Sequence, residues 1–220
     1  TDAVLNGEID AAFCAVRPPG HHATSDRAMG FCLLDNVAVA AAHALDRHGL
    51  SRVAIVDFDV HHGNGIQNLF YDDPNILYIS LHVYRNGEFY PGKPDNPMTP
   101  DGGIEHCGAG PGLGKNVNIG WHDQGMGDGE YMAAFQKIVM PIAHEFNPDL
   151  VIISAGFDAA AGDELGTRTH RSHDHEVAGI GKDPLSRAHR IGDEQGAARG
   201  FRSSCRIAPI SVIRRQVAAA

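Results

Sequence analysis

Residues 53–65 read Val-Ala-Ile-Val-Asp-Phe-Asp-Val-His-His-Gly-Asn-Gly. Four aliphatic residues run into acids and imidazoles and then into glycine. A short run apolar on both faces marks a strand buried in a parallel sheet. In open α/β sheets ligands bind beyond the carboxyl ends of such strands. Three further runs share the pattern. Residues 11–16 lead into Arg17-Pro18-Pro19-Gly20-His21-His22, residues 76–80 into Ser80-Leu81-His82, and Leu150–Ser154 into Ser154-Ala155-Gly156-Phe157-Asp158. Asn116–Trp121 is a fifth candidate strand. Between the strands, Asn36–His48 reads as a helix closed by Gly49, because glycine readily takes the left-handed conformation that ends helices. Residues 128–140 read as a helix capped at Asp128 and kinked or ended by Pro141. Strands alternating with helices predict an α/β fold with an open, mostly parallel sheet flanked by helices. Residues 91–114, dense in Gly, Pro, Asp and Asn, read as an ordered functional loop.

The acids at the end of the second run set a chemical constraint. The two-residue period of a strand puts Asp57, Asp59 and His61 on one face and Phe58 and Val60 on the other. Two carboxylates so close repel, and burying them unpaired costs several kcal/mol each, on the order of 5. A divalent cation, an imidazolium or a monovalent cation is therefore expected beside them. Asp59 and His61, joined by Asp158 from another strand end, make a two-carboxylate, one-imidazole set. Such a set suits Zn²⁺ or another first-row divalent ion with open positions for water and substrate. The alternative, surface carboxylates and a helix-capping aspartate, fits poorly with an apolar strand leading straight into them. His21 and His22 follow a rigid Pro-Pro-Gly turn. Adjacent imidazoles diverge, so each needs its own partner. One is suited to take a proton from water and the other to carry positive charge against an oxyanion. Phe31 and Tyr90 sit in glycine-containing loops; they either flank a narrow channel or pack in the core.

The chain has 220 residues, enough for one domain, or for one and a tail. Apolar residues are 43% and charged residues 20%, so a packed core is expected. No apolar run approaches the roughly 18–20 residues that cross a bilayer, and the start of the chain lacks the pattern of a signal peptide. Cys14, Cys32, Cys107 and Cys205 show no metal or redox spacing, which suggests free thiols in a reducing compartment. The net charge of −9 is uneven, with −14 over residues 1–166 and +5 over 167–220. An acidic body disfavours binding to a phosphate backbone. Residues 167–220 are rich in Arg, His, Gly and Ser and show an amphipathic period only around 207–213. This segment is expected to be a divergent basic tail, poorly ordered or the product of a mispredicted gene end. His170, His173, His175 and His189 within it are not assigned to the site.

Several motifs in order resemble the zinc-dependent histone deacetylases of the arginase/deacetylase superfamily. They are Arg-Pro-Pro-Gly-His-His-Ala (17–23), Gly-Phe-Cys-Leu-Leu-Asp-Asn (30–36), Asp-Phe-Asp-Val-His-His-Gly-Asn-Gly (57–65), Ser-Leu-His (80–82) and Ser-Ala-Gly-Phe-Asp-Ala (154–159). Pro-Pro-Gly-His-His and His-His-Gly-Asn-Gly resemble class II. Glu-Phe-Tyr-Pro-Gly (88–92) and Lys-Asn-Val-Asn-Ile (115–119) look closest to the fungal type. The resemblance covers residues 1–166, which it marks as a partial catalytic domain.

It implies Asp59, His61 and Asp158 as zinc ligands and His22 as general base and acid. It implies His21, paired with Asp57, as the electrostatic partner of His22, with Asn64 behind the second histidine. Phe31 and Tyr90 match the tunnel walls, the second usually Phe, and Gly30 lies near the substrate amide. Asp57, Asp59, His61, Ser80 and Leu81 match a structural potassium site. The family also carries residues before the position of Thr1, and a later Gly-Gly-Tyr whose tyrosine polarises the acetyl carbonyl. Tyr131 is the last tyrosine here, and loss of one such donor implies a rate lower by about 10²–10³.

The implied activity is hydrolysis of acetyl-lysine amides on a peptide or histone tail. The implied location is nuclear, also cytoplasmic, within a corepressor complex or homo-oligomer, with no nucleic-acid or membrane site. Two alternatives stand beside it: a deacetylase of acetylpolyamines or other small amides, and an inactive truncated metal-binding or scaffold fragment.

Overall fold

In a computed structural model, which describes residues 1–163 and 208–215, the aliphatic runs are strands of one sheet. The strands are β1 (Ala12–Val16), β2 (Val53–Asp57), β3 (Ile76–Val83), β4 (Asn116–Trp121), β5 (Leu150–Ser154) and β6 (Ala208–Arg215), in the spatial order β1-β6-β5-β2-β3-β4. β5, β2, β3 and β4 run parallel to one another. Every residue of β2 and β3 is buried, which explains why these strands read as unbroken apolar runs. The helices are α1 (Asp2–Leu5), α2 (Asn36–His48), α3 (Asn64–Phe70), α4 (Asp128–Ala134) and α5 (Met140–Phe146).

The two faces of the sheet carry separate cores, as the two-residue period of a strand requires. Val53, Ile55, Ile76, Tyr78, Leu150 and Ile152 pack with Val4 and Leu5 of α1, Val37, Ala41 and Ala44 of α2, and Ile66 of α3. Ala54, Val56, Leu77, Ile79 and Leu81 pack on the other face with Ala134, Val139 and Phe146. The alanines of α2 let that helix lie close to the strands. Gly49 closes it as expected from sequence, with φ 65°, and at the other end the Ala38 N–H donates to Asp35 Oδ1 at 2.9 Å.

Two expectations about the helix after residue 127 need correction. The helix after residue 127 neither kinks to a stop nor ends at Pro141. Phe135–Val139 form a π turn, and α5 continues through Pro141 to Phe146. Proline lacks an N–H and crowds the carbonyl four residues earlier; the wider turn placed just before it re-registers the ladder. The cap lies at Gly127 rather than Asp128, where the Gly127 N–H donates to Glu130 Oε2 at 2.9 Å. Within the segment expected to be poorly ordered, residues 208–215 form β6, antiparallel to both β1 and β5. The open edges of β1 and β5 present unpaired backbone groups, and a run containing Ile210, Val212 and Ile213 has the composition to pair with them. The expected boundary at residue 166, Cys205 and the histidines at 170, 173, 175 and 189 lie outside the described residues.

Ile55 is fully buried on the central strand, level with Tyr78 on one side and Ile152 on the other. Ile55→Ala is expected to lower the unfolding free energy by about 2–5 kcal/mol. Val39→Ala, on the exposed side of α2 at 63% exposure, should change it by no more than about 0.5 kcal/mol. Denaturant unfolding of both variants measures the contrast.

Candidate metal centre

Asp57 is the last residue of β2 and is wholly buried, level with Ser80 on β3 and Ser154 on β5. Its Oδ2 receives the Tyr78 hydroxyl at 3.1 Å and His21 Nδ1 at 3.0 Å. The other nitrogen of His21, Nε2, lies 3.8 Å from Asp59 Oδ2. Burial opposes charge on His21, but Asp59 and Asp57 outweigh it and push its pKa up to about 10. An imidazolium therefore answers part of the carboxylate crowding at the strand tip. Strand geometry stops at Asp57, so the two-residue period does not extend to Asp59 and His61. The bend over residues 58–63 turns Asp59 so that one oxygen faces His21 and the other His61.

His61 Nδ1 lies 3.0 Å from Asp59 Oδ1 and 3.0 Å from Asp158 Oδ2, and donor atoms of the three residues all fall within 4.8 Å of one another. Backbone groups fix the carboxylates: the His61 N–H donates to Asp59 Oδ1 at 2.8 Å and the Val60 N–H to Asp158 Oδ1 at 3.1 Å. Gly156 brings the chain after β5 against Asp59. A Cβ there would stand 2.1 Å from Asp59 Oδ2, so a side chain has no room.

Burial raises the Asp59 pKa, but His21 and His61 override it and hold that carboxyl well below the usual range. Asp158 is raised, chiefly by burial. Burial lowers His61, yet Asp158 and Asp59 lift it to about 9. The cluster thus concentrates negative charge around a point now met by the His61 proton. Tetrahedral zinc, with bonds of about 2.0–2.2 Å, keeps its ligand atoms roughly 3.3–3.6 Å apart. Two carboxylates and an imidazole at the observed separations fit such an ion after small adjustments.

His22 has a different environment. Its Nδ1 lies 2.8 Å from Asn64 Oδ1, and the Asn64 amide nitrogen faces Met29 Sδ at 3.5 Å. A thioether sulfur only accepts, so the amide oxygen is the group turned toward His22, and His22 Nδ1 carries the proton. Burial and then charged His21, whose ring centroid is 4.0 Å away, push His22 well below its ordinary pKa. His22 is therefore neutral, with Nε2 unprotonated. Gly30, at φ 57°, lies against this ring: a Cβ would sit 2.3 Å from His22 Cδ2. Neither loop aromatic is core. Phe31 is 80% exposed and Tyr90 43%. Tyr90 meets His22 and His61 edge-on at 5.0 and 5.9 Å between centroids.

Of the residues matched to a potassium site, Asp57, Ser80 and Leu81 lie wholly buried at the adjoining tips of β2 and β3. The Asp59 N–H donates to Asp57 Oδ1 at 3.2 Å, and Ser80 Oγ faces His82 Nδ1 at 2.9 Å. Two site neighbours escape a reading of the sequence. Tyr78 holds Asp57; a hydroxyl inside an aliphatic strand was the available signal. Phe89 stacks on His61 at 5.1 Å and 21°, and only its place beside Tyr90 hinted at this. Behind the site, Gln67 Oε1 receives His62 Nε2 at 3.2 Å and the amides of Asn116 and Asn118 at 2.8 and 2.9 Å, tying α3 to β4.

Comparison with known proteins agrees with this arrangement. The family model described as "Histone deacetylase domain" matches residues 1–187. Histone deacetylase clr3 of Schizosaccharomyces pombe is 58% identical over 166 residues, which is 74% of this chain and 23% of clr3. Polyamine deacetylase HDAC10 of Homo sapiens is 50% identical over 165 residues, 75% of this chain and 24% of that protein. The crystal structure of the HDA15 HD domain superposes with a TM-score of 0.69 at 50% identity, over 74% of this chain and 45% of that one. The chain spans about a quarter of the length of these curated relatives.

Asn64→Asp places a carboxylate against His22 Nδ1 and is expected to move the His22 pKa upward. Histidine NMR titration of the chelator-treated chain measures this. An unmoved His22 midpoint would show that residue 64 is not its partner.

Proposed function

The chain belongs to the histone deacetylase family, and we propose that its site hydrolyses acetyl-lysine amides with zinc held by Asp59, His61 and Asp158. One observation carries this reading: the donor atoms of these three residues, drawn from two distant stretches of chain, lie within 4.8 Å of one another beside a charged and a neutral imidazole. When bound, zinc polarises the amide carbonyl and makes water more acidic.

The chain's own residues supply the rest. His22, with Nδ1–H donated to Asn64 and Nε2 free, takes the proton from the attacking water at Nε2 and returns it from there to the departing lysine amine. His21 stays charged because it is bound to Asp57, and its positive field keeps His22 neutral until the proton arrives. That field also offsets the negative charge that develops on the acetyl oxygen. Tyr90 and Phe31 wall the approach for a flexible methylene chain, and Gly30 leaves room beside His22. Asp57, Asp59, His61, Ser80 and Leu81 hold potassium, which adds charge balance at the strand tips. We assign residues 1–166 to the catalytic domain and 167–220 to a basic tail. The substrate is an acetylated histone tail in the nucleus.

The first test is zinc content. The chain is expected to retain zinc through gel filtration and Asp59→Ala to hold one equivalent less; equal zinc in both would sink the ligand assignment. The second test is turnover of an acetyl-lysine peptide beside an acetylpolyamine. Preference for the peptide supports the proposed substrate, and preference for the polyamine reassigns it to the class named for HDAC10.

A further inference from the structure

A second group of metal-binding side chains lies apart from the strand tips. Asp2 belongs to α1, and His43 and His48 to α2. Nε2 of His43 and Nε2 of His48 both point at the same oxygen, Asp2 Oδ1, at 2.5 and 2.9 Å. The two rings meet edge to face with centroids 5.5 Å apart, and the three ligand atoms lie within 4.8 Å of one another. This group shares no residue with the Asp59 site and does not depend on how that site is read.

We propose that Asp2, His43 and His48 form a second divalent-cation site that clamps α1 to α2. Two imidazole nitrogens and one carboxylate oxygen, without thiolate, suit zinc and its first-row neighbours. The set differs from an ordinary surface cluster in two respects. Both imidazoles present their outer nitrogens to one carboxylate oxygen, so three donor atoms of metal-binding type already converge on one point. A recess of about 270 Å³ lined by Thr1, Asp2, Asn36, Val39, Ala40 and His43 opens beside the group, and the side chains are 63%, 39% and 20% exposed for Asp2, His43 and His48. Water can therefore complete the coordination.

His48 also lies in the last turn of α2, where the unpaired carbonyls of a helix carry partial negative charge that favours a cation. The consequence is mechanical. α1 is a single turn whose Val4 and Leu5 reach the core beside Val37 and Ala41. A metal bridge from Asp2 to α2 fastens that turn from the outside.

The test compares the full chain with His43→Gln/His48→Gln and with Asp59→Ala. Each is equilibrated in a zinc buffer and gel-filtered, and its zinc is measured by mass spectrometry. The double variant is expected to hold one equivalent less than the parent, with the same circular dichroism in chelator. Asp59→Ala should keep that equivalent. In parallel, added zinc should raise the unfolding temperature of Asp59→Ala, and combining all three substitutions should abolish the rise. Equal zinc content with and without the two imidazoles overturns the proposal, because histidines elsewhere in the chain are the same in both.

Discussion

Two carboxylates withdrawn from water at the tip of one strand govern this part of the molecule. Asp57 has no exposed surface and Asp59 retains 7%. Left unpaired, such groups would cost more than most single interactions in a domain supply. The chain answers from several directions. Tyr78 donates from the neighbouring strand, and His21 brings a fixed positive charge on a separate turn. His61 folds back onto the far side of Asp59. Each of these answers is also a piece of the proposed site, so the cost of burying the acids and the chemistry proposed at that point share one cause.

The parallel ladder delivers the remaining pieces. Because Asp57 is level with Ser154, the residues that follow β5 arrive beside those that follow β2. Gly156 passes Asp59 where a side chain would collide, and two residues later Asp158 reaches the Val60 amide and His61. The contrast between His21 and His22 shows the same economy. Adjacent in sequence and 4.0 Å apart between centroids, one is charged and the other neutral, because Asp59 and Asp57 lift His21 against its burial whereas burial and the charge on His21 hold His22 down. The charge on the first then helps keep the second neutral.

What could be read from the residues alone divides along physical lines. β1–β5 and α2 followed from apolar runs, alanine density and the Gly49 cap, since these features act through neighbours in the chain. α3 did not show, because seven residues opening on Asn-Gly have little helical period of their own. The passage of a helix through Pro141 depends on a π turn that propensity does not reveal. β6 sits in a segment of tail-like composition and draws its backbone partners from β1 and β5. The pair His43 and His48 stands five apart on α2, not at the three- or four-residue spacing that marks a helix face, and only Asp2 of α1 reveals that they converge.

The sequence by itself determined the α/β layering, the chemistry gathered at the strand ends and the family likeness, because hydrophobic period and residue type are local properties of the chain. The tertiary structure alone decided which atoms face one another. It turned Asp59 away from strand geometry, set Asn64 behind His22, laid Phe89 on His61 and brought the first helix against the end of the second. Those outcomes depend on long-range packing and on the electrostatics of burial, which arise only when distant segments meet and exclude water.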